Sequence, residues 1–258
     1  MINSPHELRR AIRNGCFHGI TTGHASGYVQ ANLAIVPSEA AEEFVAFCEA
    51  NFRSCPILAV GRPGEPNLPS LGIDIDVRSD LPAYRLYRDG VHIETRANIL
   101  PLWRSDHVAV AIGCWFSMED ALRRAGVRLR HYELGIQGPL FRTNRPAVPV
   151  GRFGGSLVMS MRPFMRDHVA IAKEITGRFP RVHGAPLHEG PALALGIADL
   201  MKPDFGEPID ILPNEVPLYW GCGLTALTAL QASGIPFFIT HAPGAMLVTD
   251  VRNDSLAD

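Results

Sequence analysis

The chain has 258 residues, of which 47% are hydrophobic and 19% are charged, a balance typical of a globular protein with a buried core. This composition excludes a wholly disordered chain, and the formal net charge of −2 excludes a general electrostatic attraction to nucleic acid or anionic lipid. The sequence shows no signal peptide, no membrane-spanning apolar run and no CxxC pair among its five cysteines. We therefore expect a reduced, cytoplasmic protein.

The first half of the chain alternates helix and strand signals. Ser4 and Pro5 open a helix that Gly15 closes, and Ser38 opens a second helix with apolar residues at helical spacing. An ordered loop is expected between them, at residues 17–27. Strands are predicted at residues 55–60, 71–80, 81–94 and 107–116, with a hairpin turn at residues 89–90.

The second half continues the alternation. Helices are predicted at residues 117–127, 166–179 and 224–234, with a further short helix within 191–201. Strands are predicted at residues 127–134, 155–163, 216–223 and 236–250. Strands that alternate with helices indicate the α/β class.

Two segments of the chain resemble each other. Residues 113–127 and 221–235 align without gaps and share five of fifteen residues, where average usage gives roughly one. In each, a cysteine (Cys114 or Cys222) ends a strand, and Ser117 or Thr225 opens a helix. The start of a helix attracts anions and lowers the pKa of a nearby thiol, so two such sites suit a substrate with two carboxylates. Duplication and convergence both explain the repeat, and a small apolar cysteine packed beneath a helix remains the alternative reading.

Four polar residues stand out in the second half. His183, in a Gly- and Pro-shaped loop, and His241, at a strand end, are candidate acid/base groups, or histidines bonded to backbone carbonyls. Arg162 ends an apolar strand, where its guanidinium needs either a substrate carboxylate or a structural acid. Glu215 precedes a strand and is a general base if it is desolvated, or a solvated acid if it is not.

Cofactor motifs are missing from the sequence. It contains no Walker A loop, no GxGxxG after the first strand, no GxSxG and no HExxH. No cofactor is therefore indicated, although a divalent metal stays open. Asp74 and Asp76 fall on one face of a predicted strand and suit either a cation or water.

Five motifs occur in an order that resembles the D-glutamate cyclase-like family, from about residue 27 to residue 250. They are GCWFSMEDAL, SMRP, FPRVHGAPLH, EVPLYWGCGLT and ITHAPGAMLVTD. The resemblance implies an α/β fold with a larger three-layer part and a smaller two-layer part, and conversion of D-glutamate to 5-oxo-D-proline and water. Bacterial members are often called hydro-lyases. The chain departs from the family at Ala245, where the family has histidine, and at Thr225-Ala226-Leu227, where the family often has Thr-Pro-Gln.

These features together predict a hydro-lyase that binds a small acidic metabolite. The expected catalytic residues are His183, His241 and Cys222, and the expected substrate-binding residues are Arg162, Gly223, Leu224, Thr225, Glu215 and Cys114. The larger part is assigned to residues 1–126 and 204–258, and the smaller part to residues 127–203. Two other functions stay open: a non-catalytic binder or sensor of an acidic metabolite, and a different hydro-lyase that dehydrates a hydroxy acid. A homo-oligomer is also compatible with the sequence.

Overall fold

The computed structural model describes residues 1–258 and contains six α-helices and eleven strands. The helices are α1 (Pro5–Arg13), α2 (Ser38–Ala50), α3 (Glu119–Arg124), α4 (Arg130–Glu133), α5 (Val169–Gly177) and α6 (Leu224–Ala232). The strands are β1 (Tyr28–Pro37), β2 (Ile57–Val60), β3 (Tyr84–Arg88), β4 (Val91–Arg96), β5 (His107–Ile112), β6 (Leu140–Pro146), β7 (Ser156–Met165), β8 (His188–Glu189), β9 (Glu215–Gly221), β10 (Phe237–His241) and β11 (Leu247–Arg252). No helix is both long enough and apolar enough to cross a membrane.

The strands form two sheets, and the predicted α/β class is confirmed. The larger sheet has the order β2-β5-β1-β10-β3-β4, with β11 also paired to β1, and the smaller sheet has the order β6-β7-β9-β8. Every strand pairing is antiparallel, so the two strand–Gly-Cys–helix units are not parallel crossovers within one sheet. The chain passes from the larger to the smaller sheet after β5 and returns after β9. Each passage begins with Gly-Cys.

The larger sheet is covered on both faces. Helix α2 packs Phe44 and Phe47, and α6 packs Leu230, against one face of the sheet. Apolar residues of a long loop, including Leu71 and Leu81, cover the other face. Three layers therefore form, and the third layer is loop rather than helix.

The smaller sheet has helices on one face. Trp220 of β9 and Phe164 of β7 share a buried cluster with Leu122 of α3 and Val169 of α5. Strand β9 belongs to this sheet, although the sequence division placed its residues with the larger part. The division at residues 127–203 stays a prediction.

Most predicted elements form, but several differ. Strands β1 and β6 were not predicted, the strand predicted at residues 236–250 is the two strands β10 and β11, and the short helix expected within residues 191–201 is a 3₁₀ turn at Ala192–Leu195. The hairpin is confirmed, since Asp89 and Gly90 both take the left-handed conformation that a tight turn requires. Residues 71–80 form turns instead of a strand, because the carboxylate of Asp80 accepts the Asp76 backbone N–H at 2.8 Å and so competes with strand pairing. The carboxylate of Asp74 forms an ion pair with Arg9, so the metal-ion interpretation of this residue is not needed. The strand predicted at residues 127–134 is replaced by α4.

Candidate functional site

A cavity of about 520 Å³ lies where the two sheets meet. Seven of the nine predicted site residues line it: Cys114, Arg162, His183, Cys222, Gly223, Leu224 and His241. They come from β7, from β10, from the loop before β8 and from the two Gly-Cys passages between the sheets. Residues far apart in the sequence therefore surround one volume that fits a small molecule.

The two cysteines have matching backbone surroundings. Ser117 N–H donates to the carbonyl of Cys114 at 3.1 Å, and Thr225 N–H donates to the carbonyl of Cys222 at 2.9 Å. Burial raises the pKa of Cys114 to about 12 and that of Cys222 to about 11. Our expectation that a helix start lowers these pKa values is wrong, because desolvation of the thiolate outweighs the helix. Both groups are thiols at neutral pH.

The residues expected to open the two helices do not cap them. A 3₁₀ turn over Trp115–Met118 precedes α3, and the buried Ser117 Oγ has no hydrogen-bond partner. Helix α6 begins at Leu224 without a side-chain cap. Thr225 Oγ1 instead accepts the backbone N–H of Val158 at 2.9 Å, which ties α6 to β7. Thr225 does not line the cavity, and its hydroxyl holds α6 against β7 instead of facing a ligand.

Glu215 also lies outside the cavity. Its Oε2 lies 2.7 Å from Arg130 and accepts the backbone N–H of Leu212 at 2.9 Å. Through Oε2, the buried carboxylate thus takes part in both an ion pair and a turn. The prediction that Glu215 contacts substrate or acts as a general base is not supported, because a paired carboxylate at this position is satisfied within the protein.

Arg162 is the buried cation of the cavity. Its Nη1 donates to the carbonyl of Met161 at 2.8 Å and its Nη2 to that of Gln137 at 2.7 Å. No carboxylate pairs with it, its Nε has no hydrogen-bond partner, and burial lowers its pKa. Ser160 Oγ, two residues earlier on the same face of β7, is likewise buried without a partner. Such groups are normally satisfied, so both side chains are available to a ligand or water.

Two charged residues that the sequence analysis missed also line the cavity. Arg85 lies on β3 beside β10, and it forms no ion pair with any carboxylate. Glu207 is the only acidic residue in the lining, and its Oε2 accepts the backbone N–H of Gln137 at 3.2 Å. Neither residue ends an apolar strand or belongs to a recognisable motif, so the sequence offered no local signal for them.

His183 is held in a strained backbone conformation, with a φ of 97°. Its Nδ1 lies 3.0 Å from the carbonyl oxygen of Arg53. Burial lowers the pKa of His183 to about 4, because the imidazolium loses its hydration. At neutral pH the ring is therefore uncharged.

His241, at the end of β10, has a similar charge state. Its Nδ1 lies 3.2 Å from the backbone nitrogen of Leu33 and 3.3 Å from the carbonyl oxygen of the same residue. Burial lowers the pKa of His241 to about 4. Its Nε2 has no hydrogen-bond partner in the protein. His241 therefore offers the cavity a second neutral imidazole.

Asn32 joins the two Gly-Cys passages. Its Nδ2 donates to the carbonyl of Gly113 at 3.0 Å. On the other side, a Cβ added to Gly223 would lie 2.7 Å from the same nitrogen. An alanine at position 223 would therefore have to displace the side chain of Asn32. The sequence analysis did not single out Asn32; the signal that could have identified it is a polar asparagine within the apolar strand β1.

A buried pair supports the cavity wall from behind. Oε1 of Glu119 lies 2.6 Å from Nε2 of His131, and burial raises the pKa of Glu119 to about 8 and lowers that of His131. The ring of His131 packs against Trp115, whose ring lies 5.0 Å from the guanidinium carbon of Arg162. This stack positions Arg162. Ala245 is buried and does not itself line the cavity, but its two neighbours, Gly244 and Met246, do.

No group of three or more His, Cys, Asp or Glu side chains is arranged to hold a metal ion. Glu189 and His188, which follow His183 closely in the chain and are of metal-ligating type, form other contacts. Glu189 pairs with Lys173 at 2.8 Å, and His188 Nε2 lies 3.1 Å from the carbonyl oxygen of Pro191.

Comparison with known proteins identifies a family and relatives of similar length. The sequence profile described as "D-glutamate cyclase" matches residues 108–250. A protein of Burkholderia multivorans is 50% identical over 254 residues, which cover 98% of each chain, and one of Xanthobacter autotrophicus is 48% identical, covering 98% of this chain and 92% of that one. Both carry the name "Putative hydro-lyase". Among solved structures, a nitrogen repressor-like protein from Methanococcus jannaschii aligns over 92% of each chain at 13% identity and a TM-score of 0.38, too remote a likeness to support a functional argument.

Proposed function

The chain belongs to the D-glutamate cyclase family, and from this premise we propose that it is a carbon–oxygen lyase that removes water from a small dicarboxylic substrate. The substrate we favour is D-glutamate, which the reaction converts to 5-oxo-D-proline and water. Its amine forms a C–N bond with the carbon of its γ-carboxyl group, and one oxygen of that group leaves as water.

The charge pattern of the cavity is the observation that carries this proposal. The lining has two guanidiniums without a carboxylate partner, Arg85 and Arg162, and one carboxylate, Glu207. Glutamate has the opposite set of two carboxylates and one ammonium group. A buried guanidinium binds a carboxylate through strong charged hydrogen bonds, and its free Nε–H supplies one of them. The whole chain has almost no net charge, so this attraction is local.

The two carboxylate sites supply positioning. Arg162 belongs to β7 of the smaller sheet and Arg85 to β3 of the larger sheet, so together they fix the two ends of an extended or curled dicarboxylate. Cyclisation requires the amine to reach its own γ-carboxyl carbon. Holding both ends in the curled form contributes much of the acceleration, because the entropy of ring closure is lost on binding.

Proton transfer falls to the two histidines. The attacking amine must lose a proton, and His183 and His241 are both uncharged at neutral pH, so either can accept it. The N–H of Leu224 interacts with the sulfur of Cys222 and partly opposes the rise of its pKa by burial, which leaves the N–H of Gly223 to stabilise the developing oxyanion. The protonated histidine then returns its proton to the departing oxygen.

The test is product analysis on a panel of acids. Purified protein is incubated with D-glutamate, L-glutamate and hydroxy dicarboxylic acids, and products are followed by NMR and mass spectrometry. We expect 5-oxo-D-proline from D-glutamate. An unsaturated acid formed from a hydroxy acid would instead establish the different hydro-lyase. A ligand that raises the melting temperature but is never converted would establish a binder or sensor.

Substitutions of the two arginines test the charge argument. Arg162→Gln and Arg85→Gln should each lower kcat/KM by roughly 10- to 150-fold, which corresponds to a lost charged hydrogen bond of about 1.5–3 kcal/mol. The matched control is Arg104→Gln, because Arg104 pairs with Asp106 at the surface away from the cavity. His183→Ala and His241→Ala should lower kcat. Unchanged turnover in both histidine variants would remove the assignment of the proton acceptor.

A further inference from the structure

The two cavity thiols have no role in the cyclisation described above. Cys114 and Cys222 both line the cavity, and each follows the last strand before the chain passes between the sheets. They are equivalent in the internal repeat and in their local hydrogen bonding. The backbone N–H of Ser117 donates to the carbonyl of Cys114, and that of Thr225 donates to the carbonyl of Cys222. The backbone N–H of Phe116 stabilises the ionised form of the Cys114 sulfur, and that of Leu224 does the same for Cys222. The fold thus presents the same thiol unit twice to one volume.

The two thiols share a single cation. Arg162 lies close enough to stabilise the ionised form of either sulfur, and the sulfurs lie close enough to interact with each other. Asn32 contacts both units, because it donates a hydrogen bond to Gly113 of one and packs against Gly223 of the other. A carboxylate bound to Arg162 would therefore share one cavity with two thiols that belong to different passages of the chain.

We propose that Cys114 and Cys222 are a proton-transfer pair that exchanges the hydrogen on the carbon next to the carboxylate bound by Arg162, and that the protein thereby interconverts the two configurations at that carbon. The proposal rests on the proposed function in one respect, namely that Arg162 binds a substrate carboxylate. It does not require cyclisation. It gives the cavity a second activity, the racemisation of an acidic amino acid.

The step balances without an added reagent. One cysteine, ionised by loss of its proton to solvent, removes the hydrogen from the α-carbon as the C–H bond breaks and an S–H bond forms. The electron pair moves into the carboxylate, whose added negative charge Arg162 stabilises. The other cysteine then gives its proton to the opposite face of the carbon, so its S–H bond breaks and a new C–H bond forms. One thiol and one thiolate remain, with their positions exchanged.

The protein controls which form each thiol takes. Burial favours the protonated form, so each cysteine holds a proton ready to donate. Arg162 and the backbone N–H groups oppose burial and stabilise the thiolate that the first step needs. Two apolar cysteines that only fill space would not require a shared cation.

Deuterium exchange tests the proposal. The intact protein is incubated in D₂O with D-glutamate and, separately, with L-glutamate. Loss of the α-hydrogen signal is followed by NMR, and the opposite enantiomer is measured by chiral chromatography. We expect wild-type protein to exchange both enantiomers at least 100-fold faster than the double variant Cys114→Ser/Cys222→Ser, in which neither hydroxyl ionises readily. Cys16→Ser is the matched control, because Cys16 is exposed and outside the cavity.

The single variants give a result that a structural role would not. Cys114→Ser and Cys222→Ser should each keep exchange for one enantiomer only, and the two variants should keep opposite enantiomers. Melting temperatures within a few degrees of wild type, or the Cys→Ala pair if serine prevents folding, ensure that folded proteins are compared. Loss of the same enantiomer in both variants would overturn the proposal.

The remaining outcomes separate this inference from the proposed function. Wild-type protein whose melting temperature rises with glutamate but which exchanges no α-hydrogen refutes the proton-transfer pair and leaves the lyase proposal intact. Exchange without formation of 5-oxo-D-proline supports the pair and refutes the cyclase assignment. If glutamate causes no α-hydrogen exchange and no rise in melting temperature, carboxylate binding by Arg162 is refuted and both proposals fail.

Discussion

Acidification should destabilise the protein through His183, and the variant His183→Asn should lose part of that sensitivity. The pKa of His183 is about 4 in the folded protein, below its ordinary value of 6.5, because the ring is buried. Between these two values the unfolded chain binds a proton that the folded protein does not. The stabilisation is therefore complete above pH 6.5 and is lost as the pH falls from 6.5 toward 4.

The size of the effect follows from the two pKa values. At pH 5, protonation of the unfolded chain costs the folded state about 2 kcal/mol, and below pH 4 the full difference is about 3 kcal/mol. Asparagine is the suitable replacement, because it does not titrate and it tolerates the left-handed backbone that His183 adopts.

The assay is urea denaturation of wild type and variant at pH 7 and pH 5. The wild type should lose about 2 kcal/mol more than His183→Asn between the two pH values. Comparing each protein with itself cancels the packing that the variant loses at both pH values. If the two proteins lose the same free energy of unfolding, His183 is not held neutral by the fold, and its assignment as a proton acceptor loses its electrostatic basis.

Two further substitutions test the structure. Arg9→Met should lower the free energy of unfolding by about 3–5 kcal/mol, because it removes the buried guanidinium that pairs α1 with carboxylates of β11 and of the loop before β3. The control is Arg10→Met, on the exposed side of α1. It should change the free energy of unfolding by less than about 0.5 kcal/mol in the same urea titration. Gly223→Ala should lower kcat/KM on D-glutamate by about 10-fold or more, because the new Cβ displaces Asn32. Gly154→Ala, whose Cβ would meet its nearest atom at 3.7 Å, should stay within about twofold, and an equal loss in both variants would contradict the packing argument.

Several apolar strands and the capped helix α1 were predictable because their signals are local, whereas the apolar strand β1 of the larger sheet was missed. The N-cap of α1 is an example, since Ser4 accepts the backbone N–H of Glu7. The residues around Asp76 alternate as a strand does, but their side chains bond to the backbone and to arginines of α1, which the sequence around them does not show. Strand direction was not predictable either, because the passage from β5 to the other sheet depends on packing far along the chain.

Some residues of the candidate site were likewise predictable from local sequence, and others were not. Cys114, Cys222 and Arg162 were found because polar residues at the ends of buried strands are conspicuous. Arg85 was missed because it alternates with apolar residues on β3, as any strand arginine facing solvent does. Glu215 looked similar to the true lining residues, and only the position of its partner on α4 showed that the carboxylate was already paired. Local pattern identifies a polar group, and tertiary contacts decide whether it is free.

The passage of the chain between two sheets has a mechanical consequence. The four-stranded sheet is connected to the rest of the protein by only two segments, and both begin beside the cavity. The two points at which the chain passes between the sheets therefore lie at the cavity wall. A ligand that binds both Arg162 and Arg85 connects one sheet to the other at this wall, so bound substrate should restrict movement of the two sheets relative to each other. The amide hydrogens of β7 and β3 should then exchange more slowly in the presence of ligand, although the ligand touches only one side chain on each strand.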